Sequence, residues 1–115
     1  MQLHLLVIRT PDMPKLADFY SHLGLTFEYH KHGKSPYHYS ATIGSTTLEI
    51  YPLSKDQTEA DKDLRLGFAV DNFESTIQVL REKNAEFLSE PLQTEYGFMT
   101  IVKDPDGRKI ELYKK

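Results

Sequence analysis

The sequence predicts an α+β domain made of two βαβββ modules in tandem, and three observations predict it. Apolar residues recur at helical spacing twice, as Leu16, Phe19, Tyr20 and Leu23 and again as Phe73, Ile77 and Leu80. Two strand-like stretches carry the same apolar-Glu-apolar-Tyr order, Leu48-Glu49-Ile50-Tyr51 and Ile110-Glu111-Leu112-Tyr113. Superposing Asp12 on Asn72 also carries Gly24 onto Asn84 and Phe27 onto Phe87 at one constant offset. The last strands sit roughly two positions further apart, so the later half has gained residues.

In chain order, Leu3 to Arg9 reads as a mostly buried strand that Thr10-Pro11-Asp12 stops, with Asp12 as the candidate N-cap. The first helix follows, and Gly24 suits the left-handed residue just past its end. Leu25 to His32 is the second strand, 33–36 a turn, and Tyr37 to Ile43 the third strand. Gly44-Ser45 is a tight hairpin signal leading into Thr46 to Tyr51. Residues 53–62 are polar and without periodicity, which marks a linker between modules at about 1–52 and 63–115 of a single domain, 1–115.

The second module repeats the order. Leu64 to Val70 is a strand, Asn72 a helix cap and Asn84 the helix stop. Ala85 to Ser89 and Phe98 to Lys103 are strands, Asp104-Pro105-Asp106-Gly107 a chain reversal, and Arg108 to Tyr113 the last strand. There Ile110 and Leu112 face one way, and Lys109, Glu111 and Tyr113 the other. One helix covers only one face of each sheet. The opposite face must bury itself against the other module or another chain.

Composition bounds the function. A chain of 115 residues, 39% of them hydrophobic, can build one core and not two independent ones. A net charge of −3 argues against nucleic acid as a partner, because phosphate neutralisation needs a clustered basic surface. With no cysteine there is neither a disulfide framework nor a thiol nucleophile. No apolar run approaches the ~18 residues of a membrane span. Met1 leads into a strand and not a signal-peptide pattern, so a cytoplasmic protein without membrane contact is expected.

The run Asp12-Met13 through Phe19-Tyr20-x-x-Leu23-Gly24-Leu25, the terminal Asp104-Pro105-Asp106-Gly107-Arg108-Lys109-Ile110-Glu111 and the doubled βαβββ order together resemble the vicinal oxygen chelate superfamily. That group includes glyoxalase I, bleomycin-resistance proteins and extradiol dioxygenases. The resemblance covers nearly the whole chain. It implies curved mixed sheet around a cup-shaped pocket, with the helices on the outer face, and a homodimer as the common assembly. It does not imply one activity, because the fold hosts several.

In glyoxalase I-like members a divalent metal is held by a histidine on the first strand, a glutamate on the fourth, a histidine on the fifth and a glutamate on the last. The matching positions here are Leu5, Glu49, Arg65 and Glu111. Both glutamates match and both histidines are missing. His4 lies next to Leu5, but a shift of one residue moves a side chain to the other face of a strand, so His4 is expected to be a packed or edge residue. A guanidinium has no lone pair to give a cation. Two ionised glutamates in one concave pocket would cost several kcal/mol uncompensated. Arg65 is therefore expected to pair with Glu49, Glu111 or both in place of a metal, with ordinary surface ion pairing as the plainer alternative. No cofactor is expected, and a hard divalent ion such as Mg²⁺ on the two carboxylates is the disfavoured option.

Leu5, Val7, Tyr51 and Tyr113 share the face of the two glutamates and are the candidate ligand-binding residues together with Arg65. His30 and His32 share a strand face near His38. The His30/His32 pair could take up Zn²⁺ or Ni²⁺ adventitiously, although beside a lysine-bearing turn the region reads as a solvated edge. His22 is expected to be exposed. The function expected is metal-independent binding of a small organic molecule. The enzymatic alternative is a lyase or isomerase in which Glu49 or Glu111 is catalytic, abstracting a proton α to a carbonyl while Arg65 stabilises the oxyanion. The third reading is a non-catalytic structural module.

Overall fold

The computed structural model describes all 115 residues, and the βαβββ order occurs twice in it. The first copy comprises β1 (Leu5–Thr10), α1 (Met13–Ser21), β2 (Glu28–His30), β3 (His38–Ile43) and β4 (Thr46–Pro52). The second comprises β5 (Leu66–Val70), α2 (Phe73–Glu82), β6 (Leu92–Thr94), β7 (Gly97–Lys103) and β8 (Lys109–Lys114). Each copy forms its own mixed four-stranded sheet, ordered β1-β4-β3-β2 and β5-β8-β7-β6. The outer β1–β4 and β5–β8 pairs are parallel, and the remaining pairs are antiparallel. The chain divides into two compact units, 1–21 with 25–61 and 22–24 with 62–115.

In the first unit α1 starts where Asp12 Oδ1 accepts a hydrogen bond from the Lys15 backbone N–H at 3.2 Å, satisfying one of the donors a helix start leaves open. Leu16, Ala17, Phe19 and Tyr20 form its buried stripe and pack on β1, β3 and β4. Ile8, Ala41, Leu48 and Ile50 supply the sheet side of that core. Strand alternation leaves Leu5, Val7 and Glu49 on the opposite face, where Leu5 and Val7 are 48% and 37% exposed. Gly44 at φ +59 and Ser45 make the two-residue link between Ile43 and its partner Thr46.

In the second unit Phe73, Thr76, Ile77 and Leu80 are the buried stripe of α2, and Ile110 and Leu112 the innermost sheet residues. Asn84, at φ +62, takes the left-handed position that Gly24 takes at φ +110 after α1. The reversal at 104–108 encloses a buried cation. Arg108 Nη1 donates to Asp104 Oδ2 at 3.1 Å and Asp106 Oδ2 at 2.8 Å, while Asp104 Oδ1 accepts from the Asp106 and Arg108 backbone N–H groups. Burial alone would lower the pKa of Arg108, but the carboxylates of Asp106 and Asp104 outweigh it and raise it.

Several expected elements differ. The strand over 25–32 is ordered only at Glu28–His30, the three residues that find a partner on β3. Ala85 to Ser89 does not form a strand. Phe87 makes a lone bridge to Val102, flanked by backbone bonds from Leu88 N to Ile101 O and from Lys103 N to Glu86 O. Beyond Pro91, which has no N–H to offer a ladder, pairing resumes as β6. Asn72 stands at the helix start but makes no side-chain cap bond. His22 is half-buried and not exposed. No helix is long and apolar enough to cross a membrane.

Candidate functional site

The face of the second sheet that α2 leaves uncovered is built by register. Gly67 lies opposite Glu111 and Ala69 opposite Tyr113 in the parallel β5–β8 pair. A Cβ at Gly67 would stand 3.7 Å from both Glu111 Cβ and Tyr113 Cε2, so the missing side chain leaves room directly above these two residues. Arg65, just ahead of β5 and on the same alternation, donates from Nη2 to Glu111 Oε2 at 2.6 Å. The Tyr113 hydroxyl donates to Glu111 Oε1 at 2.5 Å. Both carboxylate oxygens are thus occupied by donors. The Glu111 hydrogen bond, and then burial, hold the Tyr113 phenol above its ordinary pKa, because each favours the neutral form beside a carboxylate. A cavity of about 450 Å³ opens here, lined by Gly67, Phe68, Ala69, Tyr96, Tyr113 and Lys114.

The corresponding face of the first sheet carries Leu5 opposite Thr47, Val7 opposite Glu49 and Arg9 opposite Tyr51. Glu49 has a partner that the sequence did not disclose. The fully buried His38 places Nε2 3.3 Å from Glu49 Oε2, while its Nδ1 binds the Pro36 carbonyl at 2.9 Å. Tyr51 stacks on the His38 ring at 4.4 Å, and the Arg9 guanidinium lies 5.1 Å above Tyr51. His38 is therefore no solvated edge residue. The turn at 33–36 folds His30 and His32 back against it, with ring centroids 4.9 Å and 5.3 Å from that of His38.

Of the expected residues, Arg65, Glu111 and Tyr113 are brought into direct contact, and Leu5, Val7, Glu49 and Tyr51 share one sheet face. Arg65 takes Glu111 as its partner, and His38 stands beside Glu49. His4 lies exposed just before β1. The signal that could have found His38 is its spacing from His30 across a turn, which puts the two directly opposite in an antiparallel hairpin.

A family model described as "Glyoxalase/Bleomycin resistance protein/Dioxygenase superfamily" matches residues 2–112. The chain belongs to this superfamily. TnmS3, described as an antibiotic binding protein from Streptomyces sp. CB03234, is similar at 21% identity and TM-score 0.78, over 99% of this chain and 95% of that one. A protein described as oxidase ChaP-H2 is similar at 18% identity and TM-score 0.79, over 100% and 94%. A hypothetical protein from S. aureus is similar at 18% identity and TM-score 0.74, over 100% and 97%. At these identities the likeness is one of fold. No curated protein sequence matches the chain.

The superfamily resemblance places a divalent metal at Leu5, Glu49, Arg65 and Glu111, and the residues present do not fit one. Leu5 has no donor atom, and the Arg65 cation is hydrogen-bonded to the carboxylate the ion would need.

Proposed function

We propose that this superfamily member binds a small organic molecule over β5 and β8, in the cavity beside Tyr96 and Tyr113, without a metal at Glu111. One observation carries the reading. A cavity of about 450 Å³ with two phenol rings in its wall adjoins a carboxylate whose charge Arg65 already balances. That volume lies within the roughly 300–1,000 Å³ range of small-molecule sites. The phenol rings favour a flat, partly apolar ligand, and the Tyr96 and Tyr113 hydroxyls can meet a polar end. The antibiotic-binding description of TnmS3 is in keeping with this reading.

The lyase or isomerase alternative needs Glu111 to accept a substrate proton. A substrate would have to share its oxygens with the Arg65 and Tyr113 donors, which favours binding over proton abstraction. Calorimetric screening of planar aromatic and antibiotic-like compounds, followed by titration of Gly67→Leu, tests the proposal. The leucine fills the space over Glu111 and Tyr113 and should weaken binding at least about tenfold, roughly 1.4 kcal/mol, with the fold retained by circular dichroism. Affinity unchanged in Gly67→Leu would place the ligand elsewhere. Turnover of a hemithioacetal that disappears in Glu111→Gln would replace the binder with the enzyme.

A further inference from the structure

We propose that His30, His32, His38 and Glu49 form a binding site for one divalent transition ion of the zinc class. The site shares only Glu49 with the positions that the superfamily resemblance marks, and it does not depend on the ligand-binding reading of the second unit. One donor atom from each of these four residues can be chosen so that all lie within 4.8 Å of one another. Three belong to the β2–β3 hairpin and the fourth to the adjoining strand β4.

The buried imidazole decides the chemistry. A backbone carbonyl only accepts, so the 2.9 Å contact to Pro36 O puts the proton of a neutral His38 on Nδ1 and leaves a lone pair on Nε2. That lone pair meets Glu49 Oε2 at 3.3 Å, yet Nε2 is fully buried and has no hydrogen-bond partner. His30 Nε2 is likewise buried and without one. Electron pairs directed together out of water are relieved by a proton or by a metal ion between them, and four donors converging on one point suit the metal. A histidine that fixes its tautomer on a backbone carbonyl and directs the other nitrogen inward is the arrangement metal-binding histidines adopt.

Distances agree with a zinc-sized ion. Tetrahedral coordination with bonds of about 2.0–2.1 Å separates neighbouring donors by roughly 3.3 Å. His38 and Glu49 already stand at that separation, 3.3 Å. His32 is exposed and can turn inward without displacing the core. The scaffold is preformed: Tyr51 stacks on His38, and the turn is pinned by Ser35 N to His32 O and His32 N to Ser35 Oγ, both 2.8 Å. Three imidazoles with one carboxylate suit Zn²⁺, Co²⁺ or Ni²⁺, whereas Mg²⁺ and Ca²⁺ require oxygen donors.

The test is calorimetric titration of the full, untagged, chelator-treated chain with Zn²⁺ and Mg²⁺, plus visible absorption with Co²⁺. One Zn²⁺ per chain, no Mg²⁺ binding and the intense ligand-field bands of tetrahedral Co²⁺ are expected. His32→Gln, at an exposed position, and His30→Gln should each weaken Zn²⁺ at least about tenfold, the lower bound for disturbing even the partners of a ligand. His4→Gln should leave the titration unchanged. Absence of Zn²⁺ binding, binding that persists in the His30→Gln/His32→Gln double variant, or an equal loss in His4→Gln would each overturn the proposal.

Discussion

The two sheets place a glutamate at the same point and set different side chains against it. In the first, Glu49 faces His38, which stacks on Tyr51 and lies opposite His30. In the second, Met99 lies opposite Tyr113 and Leu92 opposite Met99, so the residues at both histidine positions are apolar. Glu111 instead takes a guanidinium from Arg65 and a phenol from Tyr113. The backbone plan repeats and the chemistry does not. A permanent cation pairs with the second carboxylate, whereas imidazoles stand beside the first. A duplicated scaffold thus conserves the position of a charge without conserving what answers it.

The corners that precede these glutamates differ as sharply, and they give the largest testable contrast. The β7–β8 reversal buries Arg108 between Asp104 and Asp106, where β3–β4 turns on Gly44-Ser45 alone. Arg108→Met leaves buried carboxylates without their cation and should destabilise the chain by about 3–5 kcal/mol in urea unfolding. Gly44→Ala meets no neighbour but must adopt φ +59, which should cost about 1–2 kcal/mol. Equal losses in the two variants would mean that the buried ion cluster contributes no more than a hairpin glycine.

Those corners also show how much of the molecule was legible. Gly44-Ser45 could be read directly, because the left-handed conformation it requires is a property of the residue itself. So could α1, α2 and the alternation of β8, since their periods are local and strong. Arg108 could not, because an arginine in a turn normally points to water and only the two flanking aspartates hinted otherwise. The extent of β2 was over-read as well. Residues 25–32 carry a strand-like pattern, but only Glu28–His30 pair with β3, although β3 continues past them to Ile43. On the candidate site, a pairing of Arg65 with Glu49, Glu111 or both was expected from the superfamily's metal positions and the charge they must balance, and Glu111 is the partner found. The burial of His38 depended on a hairpin folding back across it, which no single window of sequence records.

The smallest expected effects come from the Glu111 cluster. Arg65 is 51% exposed, and Arg65→Met should cost at most about 1 kcal/mol in the same urea unfolding, since water screens the pair. Its partner Tyr113 offers a titration instead. Its folded pKa lies above the unfolded value, so the neutral phenol contributes in full below about pH 10, and its contribution fades as pH climbs through the folded value. Tyrosinate absorbance should show Tyr113 ionising above the ordinary tyrosine value, and Glu111→Gln should shift one tyrosine to lower pH; a tyrosine titration unchanged by Glu111→Gln would break the assignment.

Along β8, Ile110 and Leu112 belong to the core while Glu111 and Tyr113 belong to the open face, and β4 divides Leu48 and Ile50 from Glu49 and Tyr51 in the same way. Each strand therefore interleaves two sets of side chains, one that builds the core and one that can change without disturbing it. A descendant can trade histidine for methionine, or arginine for something else, at every second residue while the intervening ones hold the architecture. Divergence of ligand chemistry within such a lineage requires no new topology, only substitutions of one parity.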